Sequence, residues 1–151
     1  MAEFIATTIQ TVEPNANVQF TDTVVNGNCF IVHRTGSGLI TLRGAASRCR
    51  SRFKVSFGGN IQVPTGGTVG PISLAISVDG EPLSNTTMTV TPAAVEEPFN
   101  VFAATYIEVN HCNGASIGVR NISDTNVQVT NANIIIEKEK EVSYESLSTV
   151  R

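Results

Sequence analysis

The side chains that could carry nucleophilic catalysis are few, and none has the neighbours that such chemistry needs. The chain has two histidines, His33 and His111, and three cysteines. A hydrolase pairs its nucleophile with a positioned base, and no Gly-x-Ser-x-Gly elbow accompanies either histidine. His111 and Cys112 are adjacent, but neighbouring side chains on an extended chain point in opposite directions. The sequence therefore predicts a protein that is not an enzyme.

The same residues lack the spacing of a metal site. Cys29, Cys49 and Cys112 have no C-x-x-C arrangement, and no H-x-x-x-H pair accompanies them. The segment PTGGTVG at residues 64–70 lacks the Lys-Ser/Thr of a phosphate-binding loop. We therefore expect no metal and no cofactor. The cysteines are predicted to be buried or half-buried free thiols, because free cysteine packs like a small hydrophobe.

A row of basic residues is the sharpest local anomaly. Arg48, Arg50, Arg52 and Lys54 alternate with other residue types, and with Arg43 they make up five of the ten Lys and Arg residues. On a strand all four project from one face. Like charges in such a row repel one another unless anions or acidic side chains lie opposite. We call Arg48, Arg50, Arg52 and Lys54 the basic row.

Two interpretations of the basic row stay open. It can be a solvated edge strand that its charge protects from aggregation. It can also be an electrostatic contact with an acidic neighbouring subunit, in which Glu96, Glu97, Glu108 or the acidic C-terminal tail supplies the partners. Nucleic-acid binding is disfavoured because no base-stacking aromatic residues are interleaved in the row.

The composition narrows the class of protein. The chain has 151 residues, 41% of them hydrophobic and 15% charged, with a net charge of −3. Average globular chains are about 25% charged, so this surface is unusually neutral. Such a composition excludes intrinsic disorder and coiled coils. No window approaches the ~20 apolar residues of a membrane span. The N-terminus lacks the pattern of a secretory signal, so we expect synthesis in a host cytoplasm without export and no membrane partner.

Nearly every segment reads as a short strand. Alternating or β-branched runs are separated by Gly, Pro or Asn, with hairpin signals at Asn26-Gly27 and Asp79-Gly80. About ten strands with turn signals every 8–12 residues or so predict an all-β, antiparallel β-sandwich of the jelly-roll type. Only 92–97 could form a helical turn. We assign residues 1–138 to the jelly-roll domain and 139–151 to a charged and polar C-terminal extension, because that segment alternates charge without apolar periodicity.

Three long segments resemble a known class of proteins. They are FKVSFGGNIQVPTGGTVGPISLAISVDGEPL, TPAAVEEPFNVFAATYIEV and SIGVRNISDTNVQVTNANIIIEKE. Together they resemble small jelly-roll virion proteins of tailed bacteriophages and prophages. The layout is also similar to the trimeric jelly rolls of the tumour-necrosis-factor and complement globular-head superfamily. There a strand like Ile72–Val78 leads into a DGxxL hairpin, and the closing strand ends in an apolar triplet like Ile134–Ile136.

The resemblance implies a homotrimer used as a building block. Such trimers bury apolar and aromatic residues along the threefold axis, and Phe99, Phe102 and Tyr106 are the candidates here. Large side chains on both faces of this strand suit an interface strand. The alternative is that the three rings fill the core of the monomer.

The functional prediction is a noncatalytic virion protein. We expect a homotrimeric capsid decoration protein that binds and stabilises the capsid surface, with the major capsid protein or another virion protein as its partner. The alternative is a tail or head-fibre module that binds a receptor or glycan, since jelly rolls also host lectins. The absence of Trp and the presence of only two Tyr weaken the lectin interpretation.

Overall fold

Twelve strands form two antiparallel sheets in the computed structural model, which describes residues 1–45, 49–110 and 113–139. Sheet I has the strand order β10-β6-β12-β1-β3, with β2 paired to β12. Sheet II has the order β4-β5-β11-β7-β8, with β9 paired to β7. The strands are β1 (Ala2–Ala6), β2 (Gln10–Val12), β3 (Asp22–Val25), β4 (Ile31–His33), β5 (Ile40–Leu42), β6 (Arg50–Gln62), β7 (Ile72–Val78), β8 (Glu81–Pro82), β9 (Met88–Val90), β10 (Phe99–Asn110), β11 (Ala115–Asn121) and β12 (Val127–Lys138).

The core lies between the two sheets and follows from the period-two pattern. In β6 the inward positions Phe53, Val55 and Phe57 are fully buried, whereas the intervening positions face outward. The other strands contribute aliphatic residues to the same cluster, such as Ile76 and Ile134. Burial of these alternating apolar sets drives the two sheets together. The predicted antiparallel β-sandwich is confirmed, with twelve strands where about ten were expected.

Strand β6 is an interior strand of sheet I. It pairs with β10 along its whole outer side, from Phe99↔Ile61 to Asn110↔Arg50. On its other side it pairs with β12. The interpretation of the basic row as an edge strand is therefore wrong, because the edge is β10. Strand β6 also continues through Gly58 and Gly59, and its pairing with β12 extends to Gln62.

The two predicted hairpin turns have different outcomes. Asp79 and Gly80 have φ angles of 50° and 87° and connect β7 to β8, as a type I′ turn requires. Neither Asn26 nor Gly27 adopts a positive φ, and β3 pairs with β1 rather than with β4. Glycine is needed at position 27 for space: a Cβ atom there would lie 2.0 Å from the carbonyl oxygen of Ile31.

Several local expectations need correction. Val18 and Phe20 alternate with Gln19 as in a strand, but residues 18–20 lie outside the strands, although Val18 and Phe20 are fully buried. Cys29 and Cys49 are exposed rather than buried, because each lies in a connection outside the strands; Cys112 lies outside the described residues. Residues 92–97 form bends and turns, and the helical segment in the described part of the chain is a single 3-10 turn, Ser84–Thr86.

The last strand ends close to the predicted domain boundary. β12 ends at Lys138, and the described residues end at Glu139. The division into a domain of residues 1–138 and an extension of 139–151 stays a prediction. In the described ranges no helix has the length and apolar character needed to cross a membrane.

Candidate functional site on the outer face of sheet I

Two aromatic rings stand exposed on the edge strand β10. Phe102 is 66% exposed and Tyr106 is 56% exposed. Alternate side chains of a strand point to opposite faces, so both rings lie on the outer face, and the inward positions of β10 fill the core. Phe99 is half-buried at the start of the strand. The alternative that these rings fill the monomer core is wrong for Phe102 and Tyr106. The buried positions of β10 are Val101, Ala103, Ile107 and Val109.

Small side chains lie beside the two rings, so the outer surface of the sheet is low around them. Phe102 lies opposite Gly58 on β6, and Ala104 lies opposite Ser56. Beside them is a dent of about 140 Å³ lined by Lys54, Ser56, Ile135 and Glu137. The outer face therefore has two protruding rings next to a shallow depression. We call the set Phe102, Ala104, Tyr106, Lys54, Ser56, Gly58 and Ile135 the aromatic face.

An aromatic face of this kind is costly to leave in water. Complete burial of one Phe or Tyr side chain removes on the order of 150–250 Å² from solvent. At about 25 cal/mol per Å², one exposed ring could contribute several kcal/mol if a partner covered it completely. Large aromatic side chains exposed on one face of an edge strand are candidates for the anchor residues of an interface.

The basic row borders the aromatic face at one end. Arg50 and Arg52 both contact Glu108 of β10, at 3.4 Å and 3.2 Å between nitrogen and oxygen. Arg52 also lies 3.6 Å from Glu139. Lys54 lies opposite Glu137 on β12, and Arg48 lies outside the described residues. Carboxylates within the chain thus offset part of the charge, with Glu108 held between two guanidinium groups.

The structure does not bring Glu96 and Glu97 to the basic row. Both lie in the turn before β10, where the Glu96 amide donates to the Val63 carbonyl oxygen at 2.8 Å. Arg50 pairs with Asn110 at the far end of β10. Twelve residues of extended strand separate these two ends, which is on the order of 40 Å. Glu96 and Glu97 can therefore meet a basic row only on another molecule.

Of the two histidines considered for catalysis, His33 lies in the described part of the chain. The His33 ring lies 4.5 Å from the Phe4 ring between their centroids, and its Nε2 lies 2.9 Å from the Ser37 carbonyl oxygen. His111 and Cys112 lie outside the described residues. Among the residues that the structure describes, no three His, Cys, Asp or Glu side chains cluster as metal ligands would.

The sequence did not predict which residues of neighbouring strands lie beside the two rings of the aromatic face. Gly58, Ser56 and Ile135 come from two strands that are distant in sequence from β10. Their association depends on the pairing of β10 with β6 and of β6 with β12, which period two does not specify. The only available signal was the run of small residues at Ser56, Gly58 and Gly59 within an otherwise bulky strand.

Solved structures with the same fold include three proteins of different kinds. No family model matches the chain, and a search of curated proteins gives no match. The globular domain of zebrafish complement 1qA protein aligns with a TM-score of 0.61 at 11% identity, covering 89% of this chain and 94% of that one. Eiger TNF from S. frugiperda aligns with a TM-score of 0.64 at 12% identity, covering 94% of this chain and 93% of that one. PRD1 vertex protein P5 aligns with a TM-score of 0.52 at 11% identity, covering 92% of this chain and 96% of that one.

The chain has the jelly-roll fold of these proteins. The alignments cover nearly all of each partner, so the likeness concerns the whole sandwich rather than a shared fragment. The resemblance to the tumour-necrosis-factor and complement globular-head superfamily is thereby confirmed for the fold. At 11–12% identity the likeness concerns architecture alone.

Proposed function

We propose that the chain is a noncatalytic structural protein of a virion and that it assembles as a homotrimer through its aromatic face. The observation that carries the proposal is the exposure of Phe102 and Tyr106 on the edge strand of sheet I. Both rings lie on the same outer face of β10, so one partner surface can cover both. The likeness of the fold to complement, TNF and virion vertex proteins is consistent with such a role.

The aromatic face offers two surfaces that can meet between copies. The rings lie on the edge strand β10, and the dent lies further inside the sheet, between β6 and β12. The edge of one copy can therefore place a ring against the dent of another copy. Such a contact can form reciprocally in a twofold dimer or head to tail in a closed ring. Three copies are the number implied by the resemblance.

The second part of the proposal is that the trimer attaches to a virion. One of the three similar folds is a virion vertex protein, and a trimer can hold a capsid surface by many modest contacts whose affinities multiply. The described members of the basic row and the pair Glu96-Glu97 lie at opposite ends of the β6–β10 pair. We assign them to electrostatic contacts with neighbouring subunits or with the major capsid protein.

Truncation of the two rings tests the self-association. We expect Phe102→Ala and Tyr106→Ala each to weaken the trimer by about 1.5–3 kcal/mol per buried ring, or roughly ten- to a hundredfold per contact. Leu39→Ala is the matched control, because Leu39 is 48% exposed and lies outside the aromatic face. Sedimentation equilibrium over a range of concentrations measures the effect. Equal association constants for all three variants and the parent chain would refute the role of the aromatic face.

A glycan-binding platform is the second candidate, and the same two rings favour it. Sugars stack on exposed aromatic faces, and Asn60 and Asn100 provide amide groups next to Phe102. The two candidates differ in what removal of the rings changes. The glycan-binding candidate is favoured if the chain is monomeric both with and without Phe102 and if removal of Phe102 abolishes binding to a glycan array. Presence of the chain in purified particles at copy numbers divisible by three would favour decoration.

A further inference from the structure

The dipeptide Asn26-Gly27 lies in the connection from β3 to β4, and its asparagine is exposed. The chain has a second Asn-Gly dipeptide at residues 113–114, but only Asn26-Gly27 has described residues on both sides. An asparagine before glycine has a specific reactivity. The nitrogen of the next residue can reach the side-chain carbonyl carbon, and glycine has no Cβ atom to obstruct the approach.

Packing requires glycine at position 27. A Cβ atom there would lie 2.0 Å from the carbonyl oxygen of Ile31, far closer than van der Waals contact allows. Any other residue would have to displace the backbone of the connection. The fold therefore keeps next to Asn26 the residue that least hinders an attack on its side chain.

The two groups that react in such a dipeptide are unbonded here. Among the described residues, neither the Gly27 amide nor the Asn26 side chain has a hydrogen-bond partner. Both residues lie outside the strands, so rotation of Asn26 breaks no bond of a strand ladder. A connection with these properties opens locally at little cost in free energy.

Asn28, two residues further on, is an exposed asparagine in the opposite state. Its Oδ1 accepts from the amides of Phe30 and Ile31, at 2.8 Å and 3.2 Å. Its backbone amide and carbonyl are also bonded to Ile31, each at 3.2 Å. The residue after it is Cys29, whose side chain obstructs the approach of the following nitrogen. One short connection thus contains a free asparagine and a held one.

We propose that Asn26 is a site of spontaneous deamidation in the folded chain. The Gly27 nitrogen gives its proton to solvent and forms a bond to Cγ of Asn26. The Cγ–Nδ2 bond breaks, and Nδ2 takes up a proton and leaves as ammonia. Water then opens the five-membered imide at either carbonyl carbon, which yields aspartate or an isoaspartate whose main chain runs through Cγ. Each event makes the net charge of −3 more negative by one charge, and water is the only co-reactant.

Incubation of the folded full-length chain in mildly alkaline water enriched in heavy oxygen tests the proposal, with peptide mass spectrometry as the readout. We expect Asn26 to become a mixture of aspartate and isoaspartate that carries one solvent oxygen. Its rate should lie within about tenfold of the rate in a synthetic peptide of residues 21–31, because the fold does not protect it. Asn28 should react at least about tenfold more slowly than Asn26 in the folded chain.

Asn26→Gln is the matched variant, because it keeps the amide at an exposed position but has to close a larger, six-membered ring. We expect it to show no conversion at position 26 over the same incubation. Three results would overturn the proposal. They are a rate in the folded chain more than about tenfold below that of the peptide, a product that contains aspartate without isoaspartate, and equal rates at Asn26 and Asn28. The outcome does not depend on the proposed trimer, because the reaction takes place within one chain.

Discussion

Asn121 shows at the scale of one residue how this sandwich is held together. Its side chain is fully buried, and its amide donates to the carbonyl oxygens of Val12 and Thr125, both at 2.9 Å. Its Oδ1 accepts from the amide of Ser123 at 2.9 Å. One side chain thus connects the end of β2, the end of β11 and the turn before β12. Asn121 also begins an Asn-x-Ser sequence, but the buried amide is inaccessible to glycosylation in the folded chain.

Removal of this side chain should destabilise the fold strongly. Asn121→Ala leaves two buried carbonyl oxygens and one amide without partners, so we expect a loss of about 2–4 kcal/mol in the free energy of unfolding. Urea denaturation at one fixed protein concentration measures it. Asn113→Ala, at an exposed position in a bend, should change stability by less than about 0.5 kcal/mol. Equal midpoints for both variants would show that the network contributes little.

At the scale of elements, the β6–β10 pair carries both features that bear on function. The aromatic face and the basic row lie on the same outer surface because outward positions of one strand oppose outward positions of the other. Glu108 of β10 faces Arg52 of β6 directly. The Arg52 side chain is 53% exposed, and the Glu108 side chain is 44% exposed. Exposed pairs of this kind contribute little to folding, which leaves the basic row available for a partner.

A double-mutant cycle on Arg52 and Glu108 checks this division of roles. We expect a coupling energy below about 1 kcal/mol in urea denaturation, decreasing further in about 1 M salt because exposed charges are screened. The single reversal Arg52→Glu should weaken assembly most at low salt, if the basic row contacts an acidic surface. A coupling above about 2 kcal/mol that salt does not change would assign the pair to folding instead.

The sequence was sufficient for the strands but not for their partners. Period two correctly placed Phe102 and Tyr106 on one face of β10, and Arg50, Arg52 and Lys54 on one face of β6. It could not decide which face of β10 is outward, because Val101 and Ile107 are as apolar as the two rings. The edge or interior position of β6 depends on pairing between segments about fifty residues apart, which local patterns do not encode.

Close packing explains why the predicted hairpin turn at Asn26-Gly27 and the predicted burial of the cysteines are wrong. Asn26-Gly27 has the composition of a hairpin turn, yet the glycine is there because the backbone at Ile31 approaches it too closely for any side chain. The cysteines resemble core residues by type, but Cys29 and Cys49 lie in connections and are exposed. Both outcomes depend on contacts that exist only after the sheets have assembled.

At the scale of the whole molecule, the low charge of the chain is consistent with assembly. Only 15% of its residues are charged, and the charged outward groups of β6 and β10 gather at one end of the pair, while the remaining outward positions of these two strands are uncharged. Such a surface gains from being covered by further copies. The fold itself, common to complement, TNF and virion vertex proteins, provides a rigid platform on which this face is displayed.

The mass of the assembly that the purified chain forms in solution tests the proposed trimer most directly. We predict that sedimentation velocity at micromolar concentration gives one species of about 48 kDa, three times the 16.0 kDa of one chain. Phe102→Ala combined with Tyr106→Ala should shift it toward the mass of one chain. A single species of 16.0 kDa for the parent chain at tens of micromolar would contradict the proposed trimer.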